Sequence, residues 1–261
     1  MTRHTGLERR QFLKMVALGA AAAAQPARAA DEPRRERPNI VYINIDDLGW
    51  ADLQCQGSAY YQTPHIDRLA ARGMVFTNGY APAANCAPSR ACCMTGQYTP
   101  RHGVYTVQSS ERGESKDRKL IPTENTLFIE NDNRTIAHAL QSAGYTTCTV
   151  GKWHISEDPL KNGFDINIAG GSWGSPSKGG YHSPYDYPNC ASDKKGEYLT
   201  ERLTDEAIAF LKTHRDGPFF LYFPHYAVHS PLQPKKAVKA KYAGREKSEA
   251  HDNPAYAAMV E

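Results

Sequence analysis

The residues from Cys86 to Gly96 place a small nucleophilic side chain beside groups that favour anions. Pro88 lacks a backbone N–H and is tolerated in a first helical turn, so the sequence predicts a helix that begins there, with Cys86 just outside its N-terminus. Free N–H groups and a partial positive charge at that end favour an anion. Arg90, about one turn further on, adds a fixed cation on the same side. The stretch therefore predicts a site for a tetrahedral oxyanion.

A pair of carboxylates, Asp46 and Asp47, follows an apolar run that begins at Pro38. The β-branched and aromatic residues of this run predict a strand buried on both faces. In open α/β sheets, ligands lie beyond the carboxyl ends of the strands. Two adjacent acids there form either an ordinary acidic turn or a cation site, and oxygen ligands suit calcium or magnesium.

Lys152 and His154 follow another predicted strand, Tyr145 to Val150. Residues two apart in an extended chain point the same way, so both side chains could reach one oxyanion, with Trp153 on the opposite face. Lys152 would supply positive charge where charge develops, and His154 would relay a proton near neutral pH. The alternative is an exposed strand end without a catalytic role.

The stretch from Cys86 to Gly96 resembles the signature of the type I sulfatases, which reads Cys-x-Pro-Ser-Arg, four further residues and Thr-Gly. The resemblance implies that a maturation enzyme oxidises Cys86 to formylglycine. The hydrate of that aldehyde carries two hydroxyls, of which one attacks sulfur and the other later expels sulfate. The alternative is a buried structural cysteine. The order of the Asp-Asp pair and the signature, and the run Gly151 to His154, are also similar to sulfatases.

The resemblance also implies a role for each candidate residue. Calcium would be bound by the acidic pair and the oxidised cysteine: Asp46, Asp47 and Cys86. Two cations would hold the nucleophile and offset developing charge: Arg90 and Lys152. Two histidines would move protons: His154 would assist release of sulfate, and His229 would protonate the leaving oxygen, with His225 as the lesser candidate.

Residues 1–29 read as a twin-arginine export signal, because paired arginines precede a short apolar run and the small-residue stretch Ala27-Arg28-Ala29. The apolar run is shorter than the roughly 20 residues that a membrane span needs, so we expect no stable membrane anchor. The protein is then exported by the twin-arginine machinery to the periplasm or beyond. Residues 30–37 form a linker, and residues 38–261 form the predicted catalytic domain.

Removal of residues 1–29 changes the formal net charge from +3 to −1. No basic stripe with interleaved aromatic residues remains, so nucleic-acid binding is not expected. The six cysteines form no Cys-x-x-Cys pair and show no regular spacing, which argues against a zinc site and a disulfide framework. Any pairing among Cys55, Cys148 and Cys190 stays open.

The remaining pattern alternates strands and helices. Helices are predicted from Pro64 to Gly73, over 135–143 and over 200–214, and strands at Met74 to Phe76 and over 218–223. This order predicts an α/β fold with a mostly parallel sheet and helices on both faces. The resemblance implies the alkaline-phosphatase-like fold. It also implies that sulfatases continue beyond this chain with further metal ligands and a second lysine, so the predicted domain is C-terminally incomplete.

The resemblance therefore implies a sulfuric ester hydrolase that releases inorganic sulfate. Export and the aromatic, Gly- and Ser-rich residues 156–197 favour a sulfated carbohydrate as the substrate, although a solvated loop explains the same composition. Two alternatives stay open. One is a phosphate or phosphonate ester hydrolase of the same superfamily. The other is an inactive binding module that lacks half of the metal ligands.

Overall fold

The computed structural model describes residues 37–130, 133–176, 180–248 and 250–261. The predicted export signal and almost all of the predicted linker lie outside these residues. Within the described part of the chain, no helix is long and apolar enough to cross a membrane. All six cysteines belong to the described part, and all six are free.

A four-stranded parallel sheet forms the centre of the described structure, and a small antiparallel hairpin lies apart from it. The strands are β1 (Ile40–Asn44), β2 (Thr146–Val150), β3 (Ile166–Ile168), β4 (Asp186–Tyr187), β5 (Cys190–Ala191) and β6 (Phe219–Pro224). The sheet order is β1-β6-β2-β3, and β4 pairs with β5. Because β1, β6 and β2 run parallel, the segments that follow them emerge at one edge of the sheet.

Helices cover both faces of this sheet. They are α1 (Pro64–Ala70), α2 (Cys86–Thr95), α3 (Thr99–His102), α4 (Ile136–Ser142), α5 (Leu199–His214), α6 (Lys236–Ala240) and α7 (Pro254–Val260). On one face, α5 packs Leu203 and Phe210 into a core with Leu221 of β6. On the other face, α2 and α4 contribute to a core with Phe220 and Tyr222. The alternation arises because successive β6 side chains point to opposite faces, and the predicted α/β architecture is confirmed.

Two predicted strands differ from the structure. The run after Pro38 forms β1, but its Val41 and Ile43 side chains are about half exposed. The prediction of burial on both faces is therefore wrong, because β1 is at the edge of the described sheet and its outer face has no cover there. Met74 to Phe76 forms no strand; it is an irregular, exposed segment with no partner strand beside it in the described residues.

The helix of the cysteine signature begins two residues earlier than predicted. Asn85 has extended backbone dihedrals, and its carbonyl accepts the Ser89 N–H at 3.0 Å, so Cys86 is the first helical residue. The helix ends at Gly96, whose φ of +66° is the left-handed conformation in which glycine commonly ends helices. The nucleophile candidate is thus held by helical backbone.

Candidate active site

The carboxyl ends of β1, β2 and β6 bring three separate segments together. The Asp46 N–H donates to the Ala227 carbonyl at 3.0 Å, and the Val228 N–H donates to the Asp46 carbonyl at 2.7 Å. The Lys152 N–H donates to the Pro224 carbonyl at 2.8 Å. Backbone hydrogen bonds therefore fix the position of each segment before any side chain is considered.

Asp46, Arg90 and Lys152 form a buried cluster of charges. One Asp46 carboxylate oxygen lies 3.3 Å from the Arg90 guanidinium, and the other accepts a hydrogen bond from the Lys152 ammonium. Arg90 also donates to the Lys152 carbonyl at 2.7 Å and to the Tyr222 hydroxyl at 3.3 Å. Burial lowers the pKa of Arg90, but Tyr222 and Asp46 outweigh burial and raise it. Two cations face one carboxylate, so the cluster keeps a net positive charge that suits an anion.

Cys86 lies within electrostatic reach of this cluster. It starts the helix on which Arg90 stands one turn later, and a charge on the Cys86 side chain contributes to the raised pKa of Arg90. The side chain is partly exposed, whereas Ala87 and Pro88 are buried. The first turn of the helix thus presents Cys86 outward while its neighbours anchor it in the core.

His154 lies between the buried cluster and an open cavity. Burial, then the neighbouring charges of Lys152 and Arg90, lower its pKa to about 4. Its Nδ1 atom is buried and has no hydrogen-bond partner. The imidazole is therefore neutral at physiological pH, and its Nδ1 atom is not engaged by another group of the described structure. A side chain at Gly174 would place its Cβ 2.3 Å from the His154 ring, so glycine is needed there.

Asp47 and His229 complete the site on its exposed side. The His229 Nε2 lies 3.8 Å from an Asp47 carboxylate oxygen. One potential ligand atom from each of Asp46, Asp47 and His229 falls within a group whose members are all within 4.8 Å of one another. The two adjacent carboxylates offer the oxygen donors that hard divalent cations prefer, so the residues fit such an ion. The Cys86 thiol is not a member of this group.

The Sulfatase family model matches residues 38–261. The chain belongs to the sulfatase family. It is 36% identical to N-acetylgalactosamine-6-sulfatase of Mus musculus over 85% of the chain and 44% of that protein. It is 42% identical to N-acetylgalactosamine-6-O-sulfatase of Bacteroides thetaiotaomicron over 79% of the chain and 51% of that protein. The chain thus spans about half the length of these relatives.

The crystal structure of Ps i-CgsB in complex with k-i-k-neocarrahexaose is similar to this sulfatase, with a TM-score of 0.68 and 29% identity. The match covers 86% of this chain and 52% of that structure. The alkaline-phosphatase-like fold expected from the cysteine signature is thereby confirmed. Members of this family use a formylglycine and a metal ion, which agrees with the acidic group at the strand ends.

The structure of this chain brings the predicted site residues to one edge of the sheet and adds residues that the sequence did not indicate. The Tyr181 hydroxyl lies 2.7 Å from the Tyr226 carbonyl and 2.8 Å from the His229 carbonyl, so it fixes the segment that carries His229. The Tyr256 hydroxyl lies 3.1 Å from the Asp47 carbonyl oxygen and 2.5 Å from an Asp52 carboxylate oxygen. No local pattern marks either tyrosine, because each acts across a long stretch of chain.

His225, the lesser proton-donor candidate, faces a different cavity. Its Nδ1 atom is buried without a partner, and burial lowers the pKa of the ring to about 4. That cavity, of about 210 Å³, is lined by apolar residues such as Leu48 and Met259. His225 therefore lies apart from the group formed by Asp46, Asp47 and His229, and His229 remains the better candidate.

Proposed function

We propose that this protein hydrolyses a sulfate ester of a carbohydrate and releases inorganic sulfate. The observation that carries the proposal is the net positive cluster of Asp46, Arg90 and Lys152 beside the first turn of the helix that presents Cys86. A sulfate monoester is a tetrahedral anion, so it matches both the charge and the shape of that site. The relatives named for N-acetylgalactosamine 6-sulfate support a 6-sulfated N-acetylhexosamine as the substrate.

The residues of the chain divide the work of the reaction. Formylglycine formed from Cys86 supplies a hydrated aldehyde as the nucleophile. Asp46, Asp47 and the oxidised Cys86 side chain would hold a calcium ion, which would supply positive charge to the site. Arg90 and Lys152 orient the sulfate and offset the charge that develops on its oxygens.

Two histidines handle the protons. His229 donates a proton to the departing alcohol oxygen, which makes the alcohol a better leaving group. His154, whose ring is neutral because its pKa is lowered to about 4, is assigned the proton that release of sulfate requires. Its unpartnered Nδ1 atom leaves that ring nitrogen without competition from the protein.

The proposed maturation and location follow from the N-terminal residues. We propose that residues 1–29 direct export through the twin-arginine machinery, which carries folded proteins, to the periplasm or the medium. Residues 30–37 would then link the signal to the catalytic domain. A maturation enzyme would oxidise Cys86 before export, since the folded helix buries both neighbours that follow it.

Mass spectrometry of the peptide that contains Cys86 tests the proposal directly. Protein produced with the maturation enzyme should give a peptide lighter than the cysteine form, because an aldehyde replaces the thiol group. The same preparation should release sulfate from N-acetylgalactosamine 6-sulfate, and the Cys86→Ala variant should not.

The matched control substrate is N-acetylgalactosamine 6-phosphate. A clear preference for the phosphate ester would favour the phosphate or phosphonate ester hydrolase instead. An unmodified thiol in protein that still hydrolyses sulfate esters would contradict the role of formylglycine. A modified protein without turnover of either ester would leave the binding module as the better description.

A further inference from the structure

A cavity of about 270 Å³ opens beside the proposed catalytic residues. Its lining includes Ala87, which follows the nucleophile candidate, and His154. The rest of its lining comes from three separate segments: 106–108, 127–128 and 172–174. Its volume is just below the range of about 300–1,000 Å³ for drug-sized ligands, so it suits one ring-sized group.

Trp173 is the largest side chain in this lining, and the protein holds it firmly. Its Nε1–H donates to the Tyr226 hydroxyl, which in turn donates to the Ala169 carbonyl at 2.8 Å. The indole also packs on Tyr187, with ring centroids 5.8 Å apart. The ring remains partly exposed. A fixed aromatic surface loses little conformational freedom when a ligand stacks on it.

The lining combines apolar and neutral polar groups. Val107, Leu127 and Phe128 add apolar surface, while Thr106, Gln108 and Ser172 add hydroxyl and amide groups. Among the described residues, no lysine, arginine or carboxylate lines the cavity, and His154 is neutral at physiological pH. A pyranose ring has the matching character, because it presents C–H groups on its faces and hydroxyl groups at its edge.

We propose that Trp173 is the platform on which the sugar ring stacks while its sulfate lies at Cys86 and Arg90. This inference rests on the proposed function and deepens it, because it assigns the specificity for the ring to one residue. Gln108 and Ser172 form hydrogen bonds with the hydroxyl groups of the same sugar ring. The glycine at position 174 keeps the cavity open next to the His154 ring, since any side chain there would meet that ring.

The test compares Trp173→Leu, which removes the aromatic surface, with Trp173→Phe, which retains one. For N-acetylgalactosamine 6-sulfate, we expect the leucine variant to raise KM about tenfold and the phenylalanine variant to change it about twofold or less. Neither variant should change the inhibition constant of inorganic sulfate, or kcat/KM for methyl sulfate, which has no ring. Trp50→Leu is the matched control, because Trp50 is exposed and does not line the cavity.

The possible results distinguish failure of the stacking role of Trp173 from failure of the proposed sulfatase activity. An unchanged KM for the sulfated sugar in Trp173→Leu would overturn the stacking role and leave the sulfatase activity intact. Equal losses with methyl sulfate and with inorganic sulfate would show that Trp173 only supports the structure. If the wild-type protein with confirmed formylglycine releases sulfate from no ester, the proposed function fails and the inference fails with it.

Discussion

The two adjacent carboxylates of the site lie in opposite environments. Asp46 is 5% exposed and contacts two buried cations, Arg90 and Lys152; we call these three residues the inner half. Asp47 is 57% exposed, and one of its carboxylate oxygens lies 3.8 Å from the His229 Nε2; we call this pair the outer half. One peptide bond separates a carboxylate fixed by the fold from one that faces solvent.

The difference follows from the cost of burying charge. A buried carboxylate without a cation costs several kcal/mol, so the fold can keep Asp46 inside only with partners of its own. Water solvates Asp47, which therefore needs no partner from the chain. The fold thus supplies the partners of Asp46, whereas the Asp47 side chain stays exposed to solvent. Changes to the inner half should reduce both stability and function, whereas changes to the outer half should reduce function and leave the stability of the metal-free protein nearly unchanged.

Asp46→Asn should give the largest effect, because it removes the only carboxylate found in contact with both buried cations in the described structure. We expect the free energy of unfolding to fall by about 5 kcal/mol, the upper end for breaking a buried ion pair. Urea unfolding at pH 7 measures it. A loss below about 1 kcal/mol would mean that Arg90 and Lys152 find other partners, and the distinction between the halves would not hold.

Lys152→Met should cost less, since Asp46 keeps Arg90 as a partner and the apolar chain fills most of the space. We expect a loss of about 3 kcal/mol in the free energy of unfolding. Lys161→Met is the matched control, because Lys161 is exposed and should change stability by about 0.5 kcal/mol or less. Equal losses in the two variants would contradict a structural role for the buried ammonium group.

The halves also differ in what the sequence could reveal. The cysteine signature, the Asp-Asp pair and the Gly-Lys-Trp-His run are local patterns, and the parallel strands bring them together as a fold of this class requires. The sequence did not indicate that the helix starts at Cys86. Asn85 is the extended residue before the helix, and the position of Pro88 does not determine which residue that is. Proline marks a helix start only to within a turn.

Contacts between distant parts of the chain could not be predicted. Tyr256 contacts the Asp47 carbonyl although the two residues are 209 positions apart in the sequence. Tyr181 contacts His229 at a separation of 48 positions. Neither tyrosine has a motif, since a hydroxyl aimed at a backbone carbonyl can come from many positions. The exposure of Val41 and Ile43 in β1 could not be predicted either, because an apolar run has the same sequence pattern at the edge of a sheet as at its centre. Local chemistry was therefore predictable, while the supports of the site were not.

Calcium should stabilise the wild-type protein through the outer half. At a free concentration of about 100 times its dissociation constant, a bound ion adds about 2.7 kcal/mol to the free energy of unfolding. Asp47→Asn should lose this increment and, with chelator present, should unfold within about 0.5 kcal/mol of the wild type, because Asp47 is exposed. Calcium titrations followed by thermal unfolding measure both quantities. Equal stabilisation of the variant would remove Asp47 from the cation site.

The smallest expected effect is on the pKa of His154, which lies next to the inner half. Burial is the main cause that lowers the pKa of His154 to about 4, and the charge of Lys152 is the second. Lys152→Met should therefore raise that pKa by about one pH unit while leaving it below the ordinary 6.5, because burial and Arg90 remain. A histidine NMR titration in chelator gives the value directly.

The same shift has a defined sign in stability. Since the pKa of folded His154 is below that of the unfolded chain, the unfolded state takes up the proton first, so stability is lost as the pH falls from 6.5 to about 4 and stays lost below that pH. Lys152→Met should raise the lower limit of this pH range, because it raises the pKa of His154 in the folded protein. An unchanged titration would mean that the charge of Lys152 does not contribute to the lowered pKa of His154.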